Sequence, residues 1–268
     1  MDRKYIELFD RFTHGAMKRR EFLEKLSLLA GSATAAHALL PLLENNYALA
    51  EMVAETDERL RTATQPVGAP GYLALPKAEG KHPAVIVVHE NRGLNPHIKD
   101  VTRRMALEGF AAFAPDYLHA LGGTPSDPDK ARDMFGSLTA EDALATSRAV
   151  RAALASHPEA NGKAGAMGFC WGGGQVNALA VGDPELAAGV AYYGSQPKAG
   201  IETIKAPLLL HYAGMDERIN AGIAAYEAAL KANGKTYELH MYDGAEHAFN
   251  NDTNATVLSQ ARSAACLL

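Results

Sequence analysis

Residues 163–174 read Lys163-Ala164-Gly165-Ala166-Met167-Gly168-Phe169-Cys170-Trp171-Gly172-Gly173-Gly174. The run Lys163–Phe169 has the pattern of a buried strand, and Gln175–Val181 that of a helix, so Cys170 falls on a sharp strand-to-helix turn. In such a turn, side chains two residues either side of the central position would strike neighbouring backbone. Gly168 and Gly172, with Gly173 beside them, answer that need. The turn places Cys170 at a helix N-terminus, where the dipole favours a thiolate and exposed N–H groups can bind an oxyanion. The plain alternative is a buried cysteine acting as a small hydrophobe. A dinucleotide loop is excluded, because no G-x-G-x-x-G register fits these glycines.

Outward from this turn the chain alternates strands and helices. Strands are expected at Gly71–Leu75, Ala84–Val88, Ala111–Ala114, Ala187–Tyr192, Leu208–Tyr212 and Thr236–Tyr242. Helices are expected at Pro96–Glu108, Thr139–Ala155 (capped by Thr139) and Asn220–Ala232. Repeated βα alternation implies an α/β fold, a mainly parallel sheet with helices on both faces and its sites at the carboxyl ends of the strands. The composition agrees: 268 residues, 47% apolar, 21% charged, net charge −5. That mild acidity argues against nucleic-acid binding, and two cysteines, Cys170 and Cys266, make no disulfide framework.

A nucleophile on such a turn is followed in chain order by an acid and a histidine, each after a later strand. Asp216 follows the Leu208–Tyr212 strand within AGMDERI, and His247 follows Thr236–Tyr242 within GAEHAF. Asp216 could instead cap the next helix, and His247 could be an ordinary loop residue. Their order and strand-end context point to His247 as base and Asp216 as its orienter. The arrangement resembles the G-x-S-x-G elbow of α/β-hydrolases, with cysteine in the serine position. In that setting Trp171 and Asn91 are the expected backbone donors to the oxyanion. The histidine spacings, with no H-x-x-x-H or Cys/His cluster, suggest no metal site, and no cofactor is expected.

With Glu90 added, at the end of AVIVV-His89-Glu90, the sequence resembles the dienelactone hydrolase (carboxymethylenebutenolidase) family from about Gly71 to Phe249. The resemblance implies an α/β-hydrolase fold and a glutamate at position 90 that contacts the resting thiol and swings away when substrate arrives. A carboxylate there would disfavour the thiolate and protect the sulfur from oxidation; the alternative for Glu90 is a salt bridge to Arg92 or Arg103. The family's carboxylate-binding arginines find no counterpart after His247 or after Pro115-Asp116. A neutral ester or lactone is therefore as plausible a substrate as an anionic dienelactone. The tail Val257–Leu268 differs in composition from the family's closing helix, and a shortened C-terminal helix is expected.

The first fifty residues have another character. Lys18-Arg19-Arg20-Glu21-Phe22-Leu23 precedes an uncharged stretch, Leu26–Leu43, and Tyr47-Ala48-Leu49-Ala50 offers an A-x-A site. These are the parts of an export signal, and the arginine pair resembles a twin-arginine signal. That reading divides the chain into a signal-like segment, 1–50, and a hydrolase domain, 51–268, and implies the export machinery as partner and a periplasmic location. The alternative is an amphipathic N-terminal helix docked on the domain in a cytoplasmic protein. Gly31, Ser32, Thr34, His37 and Pro41 interrupt the uncharged stretch too often for a stable membrane span.

The sequence thus predicts a cysteine-dependent hydrolase of a small ester or lactone, working through a thioester and specifying no oligomeric state. Its rivals are a decayed, non-catalytic binding protein that keeps the pocket, supported mainly by the short tail, and, more remotely, a thiol-redox role for Cys170 and Cys266.

Overall fold

The computed structural model describes residues 1–15, 17–47 and 51–254. Cys266 and the Val257–Leu268 tail, with its expected shortened helix, lie outside the described residues. Eight strands form one sheet: β1 (Leu60–Thr64), β2 (Gly71–Pro76), β3 (His82–Val88), β4 (Ala111–Pro115), β5 (Ala160–Phe169), β6 (Gly189–Tyr192), β7 (Leu208–Ala213) and β8 (Tyr237–Tyr242). Their order is β1-β2-β4-β3-β5-β6-β7-β8, with β1 and β2 antiparallel and every pair from β4 to β8 parallel. The continuous apolar run of β3 explains its central place. Ile86 pairs with Phe113 on one side and Ala166 on the other, and all three are buried.

Three helices precede the domain in the chain: α1 to α3 are Arg3–His14, Arg19–Ala30 and Ala33–Leu43. The domain itself carries α4 (Pro96–Leu107), α5 (Pro128–Phe135), α6 (Ala140–Ala155), α7 (Trp171–Gly182), α8 (Glu217–Asn220) and α9 (Ile223–Ala232). Thr139 caps α6 as expected, accepting from Asp142 N at 3.1 Å. Three details depart from the sequence reading. The polar stretch Glu55–Arg61 runs into the edge strand β1, where one face stays wet and no apolar alternation is required. Helix α5 was not expected; it is short, starts at Pro128 and is capped by Asp127. The helix expected over Asn220–Ala232 begins only at Ile223, after Gly222, and a separate short helix, α8, precedes it and ends at Asn220, with Asp216 capping α8 through Ile219 N at 3.2 Å.

The N-terminal segment is folded onto the domain. The stretch Leu26–Leu43 is split at Gly31, whose φ of 83° no β-carbon favours, and Ser32 caps α3 through Ala35 N at 3.0 Å. The two helices are bent by 111°, and among the described residues no single helix is long and apolar enough to cross a membrane. Phe12, Phe22, Leu26 and Leu40 form a small core of their own, with Phe12 and Phe22 stacked at 4.5 Å. Full burial of Phe22 and Leu26 is worth about 1.5–3 kcal/mol each. Polar ties join this unit to the domain: Arg19 to Asp129 at 2.5 Å, Arg132 to Phe12 O at 3.3 Å, and Asn254 to Leu43 O at 2.8 Å. Docked helices are what the alternative reading of this segment expects, in three pieces rather than one.

Candidate active site

Four strands deliver their carboxyl ends to one place. Glu90 follows β3, Cys170 follows β5, Asp216 follows β7 and His247 follows β8. Cys170 has φ 56° and ψ −114°, a conformation an L-residue adopts only under constraint, and it is buried. The constraint is close backbone packing. A β-carbon on Gly168 would strike Gly172 O, one on Gly172 would strike Val88 O and His89 O, and one on Gly173 would strike Tyr192 O. All three glycines hold the structural places expected of them.

His247 Nδ1 and Asp216 Oδ2 are 2.5 Å apart, which leaves the other ring nitrogen, Nε2, buried and without a hydrogen-bond partner among the described residues. One nitrogen of this ring, Cys170 Sγ and one nitrogen of His14 lie within 4.8 Å of one another. His14 Nε2 is 3.2 Å from Sγ, and its Nδ1 is held by Asp10 at 2.9 Å. The two imidazoles meet edge to face, with centroids 4.4 Å apart.

The charges follow from this grouping. Burial would push the Cys170 thiol up, but the two imidazoles together pull it well below its ordinary value. Burial would likewise push His247 down, yet the Cys170 charge and the Asp216 hydrogen bond hold it up at about 10. His14 is raised against burial chiefly by the Cys170 charge. Asp10, despite burial, is held at about 2 by its bond to His14.

Glu90 is buried, and its carboxyl is pushed up first by burial and then by the charge on Cys170. It forms no salt bridge with the two expected arginines: Arg92 pairs with Asp129 at 2.9 Å and Arg103 with Asp100 at 3.3 Å. Glu90 and Cys170 line the same cavity, but among the described residues no hydrogen bond joins them. Sγ is partnered by His14, and Glu90 Oε2 accepts from Asn251 at 2.9 Å. The sulfur prefers the imidazoles because they stabilise its anion, whereas a carboxylate opposes it.

The two expected oxyanion donors, Trp171 and Asn91, line one cavity with Cys170. Trp171 is the first residue of α7, so its N–H has no partner in the helix's own ladder. Its indole is fixed among His89, Tyr117 and Phe135. Asn91 sits in the loop after β3, and its side chain donates to Thr13 O at 2.9 Å. Asn91, Cys170, Trp171 and His247 share a cavity of about 480 Å³. A second cavity of about 790 Å³ lies against Cys170 and His247 with α1 as one wall.

Sequence reasoning missed His14, Asp10 and Asn251. His14, 156 residues from Cys170, is brought in only by the docking of α1, whereas Asn251 reaches Glu90 from the loop that carries His247, four residues before it. Residues 69–267 match the model of the dienelactone hydrolase family. Over 200 residues the chain is 36% identical to a Salmonella typhi protein named "Putative carboxymethylenebutenolidase", covering 68% of this chain and 74% of the relative. Over 105 residues it is 50% identical to the Escherichia coli "Putative hydrolase fragment YghX", covering 36% of this chain and 90% of that one. A solved Klebsiella pneumoniae structure titled as a dienelactone hydrolase superposes with a TM-score of 0.67 at 29% identity, over 76% of this chain and 95% of the other. The family match reaches residue 267, through the tail whose composition had set it apart. With its mainly parallel sheet and strand-end cluster, the chain belongs to the dienelactone hydrolase family.

Proposed function

We propose that the protein hydrolyses a small, uncharged ester or lactone through a thioester on Cys170. The observation that carries this reading is the grouping of a depressed, strained cysteine with a histidine whose far side is fixed by Asp216. The thiolate attacks the carbonyl, forming the C–S bond and moving the carbonyl electrons onto oxygen. The N–H groups of Trp171 and Asn91 face that oxyanion. His247, protonated at rest, passes its Nε2 proton to the departing alkoxide as the C–O bond breaks. Now neutral, it takes a proton from water, which attacks the thioester and releases the acid and the thiol.

The neutral substrate follows from the larger cavity. Carboxylates outnumber arginines in its lining, and four of its five arginines have acidic neighbours: Arg3 with Glu7, Arg19 with Glu44 and Asp129, Arg92 with Asp129 and Arg218 with Asp10. An anionic substrate would have to compete with those ion pairs. Aryl acetates and small lactones should turn over with the full chain and fail with Cys170→Ala, which removes only the sulfur. Full activity in that variant would end the cysteine mechanism; stoichiometric alkylation of Cys170 without turnover of any ester would favour a non-catalytic binding protein.

The docking of α1 to α3 favours a second reading of residues 1–47, as part of the working enzyme. The twin-arginine pattern is compatible with it, since that route carries folded proteins to the periplasm. Intact mass of the protein recovered from each compartment separates the cases. A chain beginning at Glu51 would mean that the segment is a removable signal.

A further inference from the structure

We infer that His14, Cys170 and His247 form a binding site for a thiophilic divalent cation, zinc being the best fit, that fastens helix α1 to the elbow and blocks the sulfur. Imidazole and thiolate are both zinc donors, and three protein ligands with one position left open is the number that its catalytic sites use. The three donor atoms already lie within 4.8 Å of one another. Metal–sulfur and metal–nitrogen bonds of about 2.3 and 2.0–2.1 Å give tetrahedral edges of about 3.4–3.6 Å. The cluster need therefore close by at most about 1.2–1.4 Å at its widest, and the His14–Cys170 edge is already 3.2 Å.

Two further features suit a cation. Each histidine is backed on its Nδ1 side by a carboxylate, Asp10 at 2.9 Å and Asp216 at 2.5 Å, the outer-shell arrangement that orients metal-ligating imidazoles. His247 Nε2 is buried and accepts or donates no hydrogen bond among the described residues, so once its proton is displaced it can ligate without giving up a protein partner. With both imidazoles neutral, Asp10, Asp216 and Cys170 leave the site negative, and a 2+ ion offsets that charge. Binding balances by release to solvent of the proton held by the Cys170–His247 pair and of whatever proton His14 carries, so that the sulfur ligates as thiolate and both rings as neutral imidazole. The fourth position opens onto the two cavities that both histidines line.

His14 distinguishes this site from an ordinary cysteine–histidine pair. Without it the ion has two ligands; with it, the ion has three and bridges two separate parts of the fold. Ligation occupies the sulfur lone pair that would attack a carbonyl, so the cation is a reversible inhibitor. That consequence rests on the thioester reading, whereas binding itself does not.

The test uses the full chain, stripped with chelator and titrated with Co²⁺ and then Zn²⁺. One equivalent of Co²⁺ should give a near-ultraviolet thiolate-to-cobalt band and tetrahedral visible bands, which zinc then bleaches. Cys170→Ser should lose the thiolate band, and His14→Ala should bind at least about tenfold more weakly. Asp10→Asn, a milder change, should weaken binding by about 10- to 100-fold. Zinc should inhibit ester hydrolysis less in His14→Ala than in wild type, each compared with its own metal-free rate. No cobalt band, or a band unchanged in both His14→Ala and Asp10→Asn, overturns the site. A normal band in a protein that hydrolyses no ester leaves the site standing and overturns the thioester reading instead.

Discussion

Replacing Asp216 by Asn tests the proposed chemistry with little disturbance to the fold. Asp216 holds two things at once: Oδ2 meets His247 Nδ1 at 2.5 Å, and Oδ1 accepts from Ile219 N at 3.2 Å to cap α8. Asparagine keeps an oxygen for the cap but removes the charge behind the imidazolium. A hydrogen bond to a charged group is worth about 1.5–3 kcal/mol net. Since about 1.36 kcal/mol is tenfold in rate, losing it in the transition state should lower kcat/KM by about 10- to 150-fold. The imidazolium also becomes less stable, so the Cys170 thiol rises and its alkylation by iodoacetamide shifts to higher pH. Aryl acetate kinetics and the pH profile of alkylation, run on wild type and Asp216→Asn, read both effects, with thermal unfolding confirming the retained cap. An unchanged kcat/KM together with an unchanged alkylation profile would refute the coupling of Asp216 to the sulfur through His247.

Gly172→Ala should destabilise the domain by about 1–3 kcal/mol, because its β-carbon meets the Val88 and His89 carbonyls; calorimetry should show a melting point lower by several degrees. Glu90→Gln removes a carboxyl whose charge opposes the thiolate, so the acid limb of the alkylation profile should move to lower pH, and an unmoved limb would show that the two groups are not coupled. Asp10 and Asp252 are held at about 2, against burial, by His14 and by His97 with Arg104 respectively. Lowered folded-state values mean that their stabilisation is present above about 4, the unfolded carboxylate range, and is lost as pH falls toward about 2. Circular dichroism melts across that window should show the loss, and Asp252→Asn should make it shallower.

What could be read from the sequence were features carried by neighbours in the chain. The elbow was legible because its glycines lie within four residues of Cys170 and each answers a steric demand of the same turn. Asp216 and His247 were legible because each lies a few residues past a strand pattern, apolar for Asp216 and alternating for His247, and strand ends gather at one sheet edge. Asp216 shows how two readings can both hold, since it caps α8 with one oxygen and orients His247 with the other. β1 was missed because an edge strand with one wet face shows no hydrophobic signal. The break at Gly222 was missed because Asn220–Ala232 has continuous helical composition. His14 lay beyond reach for a different reason: no pattern within residues 1–50 says where α1 will dock, and its role exists only once Asn91 and Arg132 receive the end of that helix.

The proposed mechanism asks one histidine to be an acid and then a base, and the electrostatics of the site supply the switch. A thiolate held well below its ordinary range is a weaker nucleophile and a better leaving group than a normal one. In the tetrahedral adduct it would depart before a strongly basic alkoxide, returning the ester, unless a proton reaches that oxygen. His247, held up at about 10, is protonated at neutral pH, and its unpartnered Nε2 can deliver that proton. Enol and aryl esters, or strained lactones, ease the same step through leaving groups of lower basicity. Once the thioester forms, the sulfur carries no charge, and the attraction that held His247 up disappears while its burial remains. The ring then falls toward its neutral form, with Asp216 still fixing Nδ1, and becomes the base that water needs. The same loss of charge lowers His14 and relaxes its hold on the sulfur.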